Sequence, residues 1–271
     1  MYIIAKKTKT LRGVVTPPSS KSHTVRGLVL SLVAEGTSVI ENPLRSDDAR
    51  DAVGALKSLG VNVTVSHRSI KVESKGLPIR GSKTSVFTGN SGIATRFLLP
   101  ITGFRANAGD TLTYDCGKQM RARPISSLAD ALNSLGMKVE VTKGGYPLKV
   151  SGTLLGGKVE VNGLTSQYLS ALLLSLPLAP RDSVITVHDL HERPYAEMTE
   201  YWMKRSGIRY RHKRLGKKDV YSIPGGQKYK PVKTHIPGDF SSASYLIAGA
   251  VLMNGDVTLK GLDMKDAQGD K

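Results

Sequence analysis

Four stretches carry small polar residues at the head of an apolar run. They are PPSSKSHTVRGLVL, GNSGIATRFLLP, LTSQYLSALLLS and GDFSSASYLIAG, beginning at residues 17, 89, 164 and 238. If each run is a helix, its first turn presents free N–H groups and a partial positive charge, which together bind anions. Lys21, Ser22 and Arg26 would add charge and a hydroxyl to the first mouth. Several such mouths converging on one cleft would recognise a multiply anionic small molecule. For any single mouth, N-capping accounts equally well for Ser, Asn, Asp and Thr. Lys21 and Arg26 go further. Arg26 lies five residues after Lys21 on an otherwise apolar run, where an unpaired charge is costly. Arg96 repeats the pattern in the second stretch. An ion pair between Arg26 and Asp47 or Asp48 is the structural alternative.

The bulk composition agrees with an anion-binding chain. The sequence has 271 residues, 39 Lys and Arg against 22 Asp and Glu, and a net charge of +17. That length suffices for one large domain or two ordinary ones. The charge excess attracts nucleic acid or phosphorylated and carboxylated metabolites, and does not choose between them. The cationic stretch KRSGIRYRHKRLGKK (204–218) is read as solvated surface. The single cysteine, Cys116, excludes an internal disulfide and argues against a cysteine metal cluster. A reducing cytoplasm is expected. No apolar run reaches membrane-spanning length, and MYIIAKKTKTLRG reads as neither signal nor transit peptide.

The elements that must position the mouths repeat along the chain. Each apolar run ends in a polar turn (Gly36-Thr37, Gly109-Asp110, Arg181-Asp182, Gly255-Asp256) and then a β-type run. The turns are 73, 72 and 74 residues apart. A second recurring element is an amphipathic helix, a terminal glycine and a strand: DAVGALKSLGVNVTV, LADALNSLGMKVEVT and MTEYWMKRSGIRYRH. Further β-type runs, TLRGVVT, TSVFT and GKVEVNG, precede the first helices. The unit predicted is βαβαββ, with three complete copies and part of a fourth. The fourth stops where its second helix should begin, which would leave a helix face and a sheet edge uncovered. The chain is therefore expected to be a fragment, or to need a partner.

Taken together, the motifs resemble the 5-enolpyruvylshikimate-3-phosphate synthase family. The resemblance rests on PSSKSHTVR, SDDAR (46–50), TGNSGIATRFL (88–98), RARPI (121–125), TSQYLSALL (165–173), RPYAEMT (193–199), PGDFSSASY (237–245) and AQGD, all in family order. It implies an inside-out α/β barrel, with 16–234 as one complete domain and 1–15 plus 235–271 as part of a second. It also implies transfer of the enolpyruvyl group of phosphoenolpyruvate to the 5-hydroxyl of shikimate 3-phosphate, with release of phosphate. No metal or other cofactor is implied. The expected partners are these two small molecules, not nucleic acid or membrane, and the full-length protein is expected to be a monomer.

By the same resemblance, Lys21 would touch both substrates, and Ser22 and Arg26 would hold the shikimate carboxylate. Asn90, Gly92 and Arg123 would line the phosphoenolpyruvate side. Thr165, Ser166 and Gln167 would hold the phosphate of the shikimate substrate, with Tyr195 on the same molecule. Lys21 and Gln167 are the catalytic candidates. Three positions depart from the family pattern: Thr165 for serine, Ile93 for threonine, and Glu192 for a serine that binds phosphate. The family's aspartate base, its lysine and glutamate partners and two arginines would lie beyond Lys271, so little turnover by this chain alone is expected.

Two rival readings fit part of the sequence. A related family transfers enolpyruvyl to a UDP-sugar with a loop cysteine as acid, which would give Cys116 a role. Its spacing to Arg123 is too long, and Cys116 is read as incidental. A basic nucleic-acid-binding protein would use 204–218, but stacking aromatics are few. His23 is read as a cap neighbour, and HDLHE (188–192) as metal-free.

Overall fold

The computed structural model describes Ile4, residues 10–143 and residues 145–271. The reading of the N-terminal leader, and part of the domain piece 1–15, fall on residues outside those described.

Three similar α/β bodies follow one another. The first contains α1 (Lys21–Val33), β2 (Gly36–Glu41), α2 (Asp47–Ser58), β3 (Asn62–Val65) and β4 (Ser69–Ser74), after the short β1 (Arg12–Val15). The second runs β5 (Ser85–Phe87), α3 (Gly92–Ile101), β6 (Leu112–Asp115), α4 (Lys118–Arg121), α5 (Ser126–Ser134), β7 (Met137–Val141) and β8 (Leu148–Gly152). The third runs β9 (Lys158–Asn162), α6 (Ser166–Ser175), β10 (Ser183–His188), α7 (Arg193–Arg205), β11 (Arg211–Leu215) and β12 (Lys218–Ile223). Then come β13 (Lys233–His235), α8 (Phe240–Leu252) and β14 (Asp256–Leu259).

Each body has a four-stranded sheet of one design: β13-β2-β4-β3, β5-β6-β8-β7 and β9-β10-β12-β11. The first pair is parallel and the other two antiparallel in all three. The strands alternate in burial, as the pattern of β9 (KVEVN) shows, so each sheet keeps one face toward water. Helices α1, α3 and α6 lie inside the sheets and are buried almost all round. Their sequences are apolar on every side, which only a core position satisfies. By contrast, α2, α5 and α7 keep polar outer faces. The α/β class and the inside-out arrangement of repeated units are thus present.

The secondary helices end as expected. Gly60, Gly136 and Gly207 take left-handed φ of 91°, 104° and 83° just past α2, α5 and α7, where a side chain would be strained.

One expectation is corrected. TLRGVVT holds β1, but β1 does not join the sheet of the unit it precedes. It pairs in parallel with β14, Arg12 opposite Asp256. The vacant edge beside β2 is filled by β13, Lys233 opposite Val39. The two chain passages run side by side: Ser20 N donates to Pro237 O at 2.8 Å and Asp239 N to Pro18 O at 2.8 Å. Repeat spacing shows that a strand is needed, but not which copy supplies it.

Helix α8 differs from its three counterparts. Among its residues only Phe240 and Ala243 are buried, while Tyr245, Ile247, Val251 and Leu252 are exposed.

Candidate functional site

The polar mouths of α1, α3, α6 and α8 are each capped as their sequences require. Ser20 accepts from His23 N, Ser91 from Ala94 N, Thr165 from Gln167 N and Asp239 from Ser242 N. Capping by Ser20, Ser91 and Asp239 leaves other first-turn groups for a ligand.

The α1 mouth opens into a cleft of about 800 Å³, shared with the starts of α7 and α8. Lys21, Ser22, Asp48, Tyr195, Asp239 and Ser241 line it. Lys21 is exposed, and its backbone N–H donates to Asp239 Oδ2 at 3.3 Å. Tyr195 is held against Ser241, and burial raises its phenol above the ordinary range.

Arg26 lies beneath this cleft, 2% exposed. Its Nε donates to Thr199 Oγ1 at 2.8 Å, its Nη1 to Ser22 O at 3.1 Å, and its Nη2 to Tyr195 O at 2.9 Å and Ser170 Oγ at 3.5 Å. The guanidinium also lies over the Phe97 ring. No carboxylate pairs with it among the described residues, so the Asp47/Asp48 alternative does not occur; Asp47 pairs with Arg50. Burial without a counter-charge pushes Arg26 down to about 9, still protonated at neutral pH. A guanidinium has five N–H groups, and the four bonds leave one on Nη1. Arg26 can offer a ligand its charge and a single hydrogen bond, not a two-pronged clamp.

Arg96 is the counterpart on α3, 5% exposed. Its Nη1 donates to Gln167 Oε1 at 2.6 Å and its Nη2 to Pro124 O at 3.2 Å; its Nε has no partner among the described residues. Arg96 thereby ties the mouth of α3 to that of α6. A Cβ on Gly92 would stand 3.1 Å from Arg123 Nη1 and 3.3 Å from Arg96 Nη1, so two guanidinium groups crowd the first turn of α3.

Asn90 sits at the rim. Its backbone N–H donates to Asp51 Oδ2 at 2.9 Å, and its Oδ1 accepts from Gln119 N at 3.1 Å, at the start of α4. This explains Gly89: with φ at 57°, a Cβ there would fall 1.9 Å from Asp51 Oδ2.

At the α6 mouth, Ser166 is buried and gives both its N–H and its hydroxyl to Glu192 Oε2, at 3.2 and 3.1 Å. Glu192, which stands where the family has a phosphate-binding serine, is thus turned into the mouth.

The structure thus brings Lys21, Ser22, Arg26 and Tyr195 together around one cleft. It also joins Gly92 to Arg123 and Arg96, and Arg96 to Gln167. Asn90, Thr165 and Ser166 are engaged with neighbours of their own. Arg96 was absent from the expected set, although its place opposite Arg26 in the repeat marked it. Thr199 and Ser170 had no signal beyond being polar on buried faces.

Three side chains fall outside the site. Cys116 is buried, and burial, with Asp115 nearby, pushes its thiol up to about 11, which disfavours a thiolate. His23 is more than a cap neighbour. Trp202 Nε1, a pure donor, gives its proton to His23 Nδ1 at 2.9 Å, so His23 Nε2 donates to Asp266 Oδ1 at 2.9 Å. His188 reaches Glu160 at 2.9 Å on the surface.

The family model described as EPSP synthase (3-phosphoshikimate 1-carboxyvinyltransferase) matches residues 5–271. Curated relatives called 3-phosphoshikimate 1-carboxyvinyltransferase include one from Acetivibrio thermocellus, 38% identical over 274 residues. Another, from Ruminiclostridium cellulolyticum, is 36% identical over 277 residues. Each alignment takes in 100% of this chain and 63% of the relative. A chloroplastic relative from Petunia hybrida is 40% identical over 284 residues, covering 99% of this chain and 54% of its own. The chain therefore spans less than two thirds of the length of these relatives. Among solved structures, EPSP synthase from Acinetobacter baumannii superposes with a TM-score of 0.79 at 23% identity. That superposition covers 96% of this chain and 57% of the other, a likeness of fold.

Proposed function

The chain belongs to the EPSP synthase family, and from that premise we propose that it binds shikimate 3-phosphate and phosphoenolpyruvate for enolpyruvyl transfer. In the reaction proposed, the methylene carbon of phosphoenolpyruvate takes a proton and the 5-hydroxyl adds to C2, losing its own. The tetrahedral adduct then expels phosphate as the methyl group gives a proton back. Negative charge is present throughout, so fixed cations and helix N-termini supply the stabilisation.

The observation that carries this reading is the pair of buried guanidinium groups at adjoining helix mouths, Arg26 and Arg96, which have no carboxylate partners among the described residues. Burying a charge is tolerated when something of opposite sign arrives, and two phosphorylated carboxylates meet that need. Lys21, exposed in the wall of the cleft, suits contact with both. Ser22, with the one spare hydrogen of Arg26, suits the shikimate carboxylate. Gly92 and Arg123, with Asn90 at the rim, suit phosphoenolpyruvate. Thr165, Ser166 and Gln167 suit the phosphate of the other substrate, and Tyr195 its ring. A cytoplasmic location and a monomeric full-length protein complete the proposal.

Calorimetric titration of the 271-residue chain tests it. Shikimate 3-phosphate should bind, and Lys21→Ala should weaken it about tenfold or more, the worth of one charge-assisted contact. The melting temperature should hardly move, because Lys21 is exposed. Absence of binding at millimolar ligand, with the fold intact by circular dichroism, would remove the proposal.

A further inference from the structure

Glu192 stands directly before α7 yet makes no cap bond to that helix. Its carboxylate crosses instead to α6 and takes the N–H and the hydroxyl of Ser166 at 3.2 and 3.1 Å. The backbone is shaped for this reach. Glu192 has φ 49° and ψ 38°, a left-handed conformation that most side chains avoid. The loop before it is pinned to the loop before α6: His191 N donates to Gly163 O at 2.9 Å, and Gly163 N to His188 O at 2.7 Å. On its other side Arg193 is locked to Asp219 by two bonds of 2.8 Å.

The first turn of α6 is therefore already occupied. Ser166 gives both donors to Glu192, and Gln167 N donates to Thr165 Oγ1. A second feature shows that this turn is built for an anion. The Arg96 guanidinium reaches it through Gln167, is buried, and keeps an unpartnered Nε. Cation and donors are provided, and the negative charge in place is an exposed side chain of the protein itself.

We infer that Glu192 is a built-in competitor at the α6 mouth, whose carboxylate must leave Ser166 before a phosphate monoester can bind there. The inference rests on the proposed function only for the identity of that monoester. A dianionic phosphate competes with the carboxylate for the same two donors, and like charges at about 4 Å repel even in water. The wild-type chain should bind phosphate monoesters more weakly than its buried cations would allow, and discriminate less between phosphorylated and unphosphorylated ligands.

The test is calorimetric titration of the 271-residue chain with shikimate 3-phosphate, shikimate and inorganic phosphate. Wild type is compared with Glu192→Ser and Glu192→Gln, each checked for its fold by circular dichroism. Glu192→Ser should tighten shikimate 3-phosphate and inorganic phosphate about tenfold, near the water limit for an exposed charge, and leave shikimate unchanged. Glu192→Gln should fall between, because its amide oxygen still accepts from Ser166 without the charge. Equal binding of shikimate 3-phosphate by all three proteins would overturn the competitor role and leave the proposed function standing. Tightening of shikimate by the same factor would also overturn it, since the change would then not concern phosphate. Tightened inorganic phosphate with no binding of shikimate 3-phosphate would uphold the competitor and remove the proposed function. No binding of either phosphate by any protein would overturn both.

Discussion

At the residue scale, Arg26 shows how a charge is kept in a core. Four hydrogen bonds reach three separate segments: its own helix at Ser22, α6 at Ser170, and α7 at Tyr195 and Thr199. The bonds leave from all three nitrogens of the planar group. Lysine, with three donors on one nitrogen, cannot reproduce that fan. Arg26→Lys should therefore destabilise the chain by about 2 kcal/mol, the cost of leaving buried carbonyl and hydroxyl groups unmet. It should also weaken binding of anionic ligands. Urea unfolding followed by Trp202 fluorescence measures the first effect. A midpoint equal to wild type would show that the network contributes nothing to stability. The motif PSSKSHTVR marked Arg26 for a role. Its partners were not legible, because Ser170 and Thr199 lie 144 and 173 residues away and nothing in a local pattern pairs them.

At the scale of elements, the start of α7 positions both Glu192 and Tyr195. Arg193 fixes it through Asp219 of β12, which is fully buried and also accepts from His212 Nε2 at 2.7 Å. The bonds from Arg193, then from His212, hold the Asp219 carboxyl below its ordinary range against the opposing pull of burial. The folded protein thus binds this proton less readily than the unfolded chain. The pair's stabilisation is full above about pH 4, the unfolded carboxyl value, and is lost as pH falls through the lower folded value. Asp219→Asn should cost about 3 kcal/mol at pH 7 by stranding Arg193 beside a neutral group. The difference from wild type should shrink below pH 4. A constant difference across that range, measured by thermal melts, would refute the assignment. The helix itself was legible from its apolar spacing and Gly207, but its anchoring was not. HKRLGKKD reads as solvated surface, and only the antiparallel pairing of β11 with β12 turns His212 and Asp219 inward.

At the scale of the whole molecule, three helices are wrapped by sheets and one is not. Tyr245, Val251 and Leu252 of α8 are 81%, 75% and 86% exposed, and Val14 of β1 is 64% exposed. The resulting apolar surface is of a kind that soluble chains cover. Leu252→Lys should therefore leave the stability of the folded chain within about 0.5 kcal/mol of wild type while reducing self-association at high concentration. Analytical ultracentrifugation reads this directly. Unchanged association would show that the α8 face is not what brings chains together.

What the sequence determined by itself is whatever depends on short range. The repeat of about 73 residues, the buried and amphipathic helices, the glycine stops and the polar helix mouths all follow from spacing within a turn or a strand. Family membership follows too, because its motifs are local strings in a set order. Tertiary structure decided what depends on which distant segments meet. It exchanged β1 for β13 beside β2, surrounded Arg26 with neutral partners instead of an acid, and drew Arg96 against Gln167. It also seated Glu192 on Ser166, 26 residues away. The reason is physical: equivalent units offer equivalent edges and mouths, and only closure of the chain around a common core selects among them.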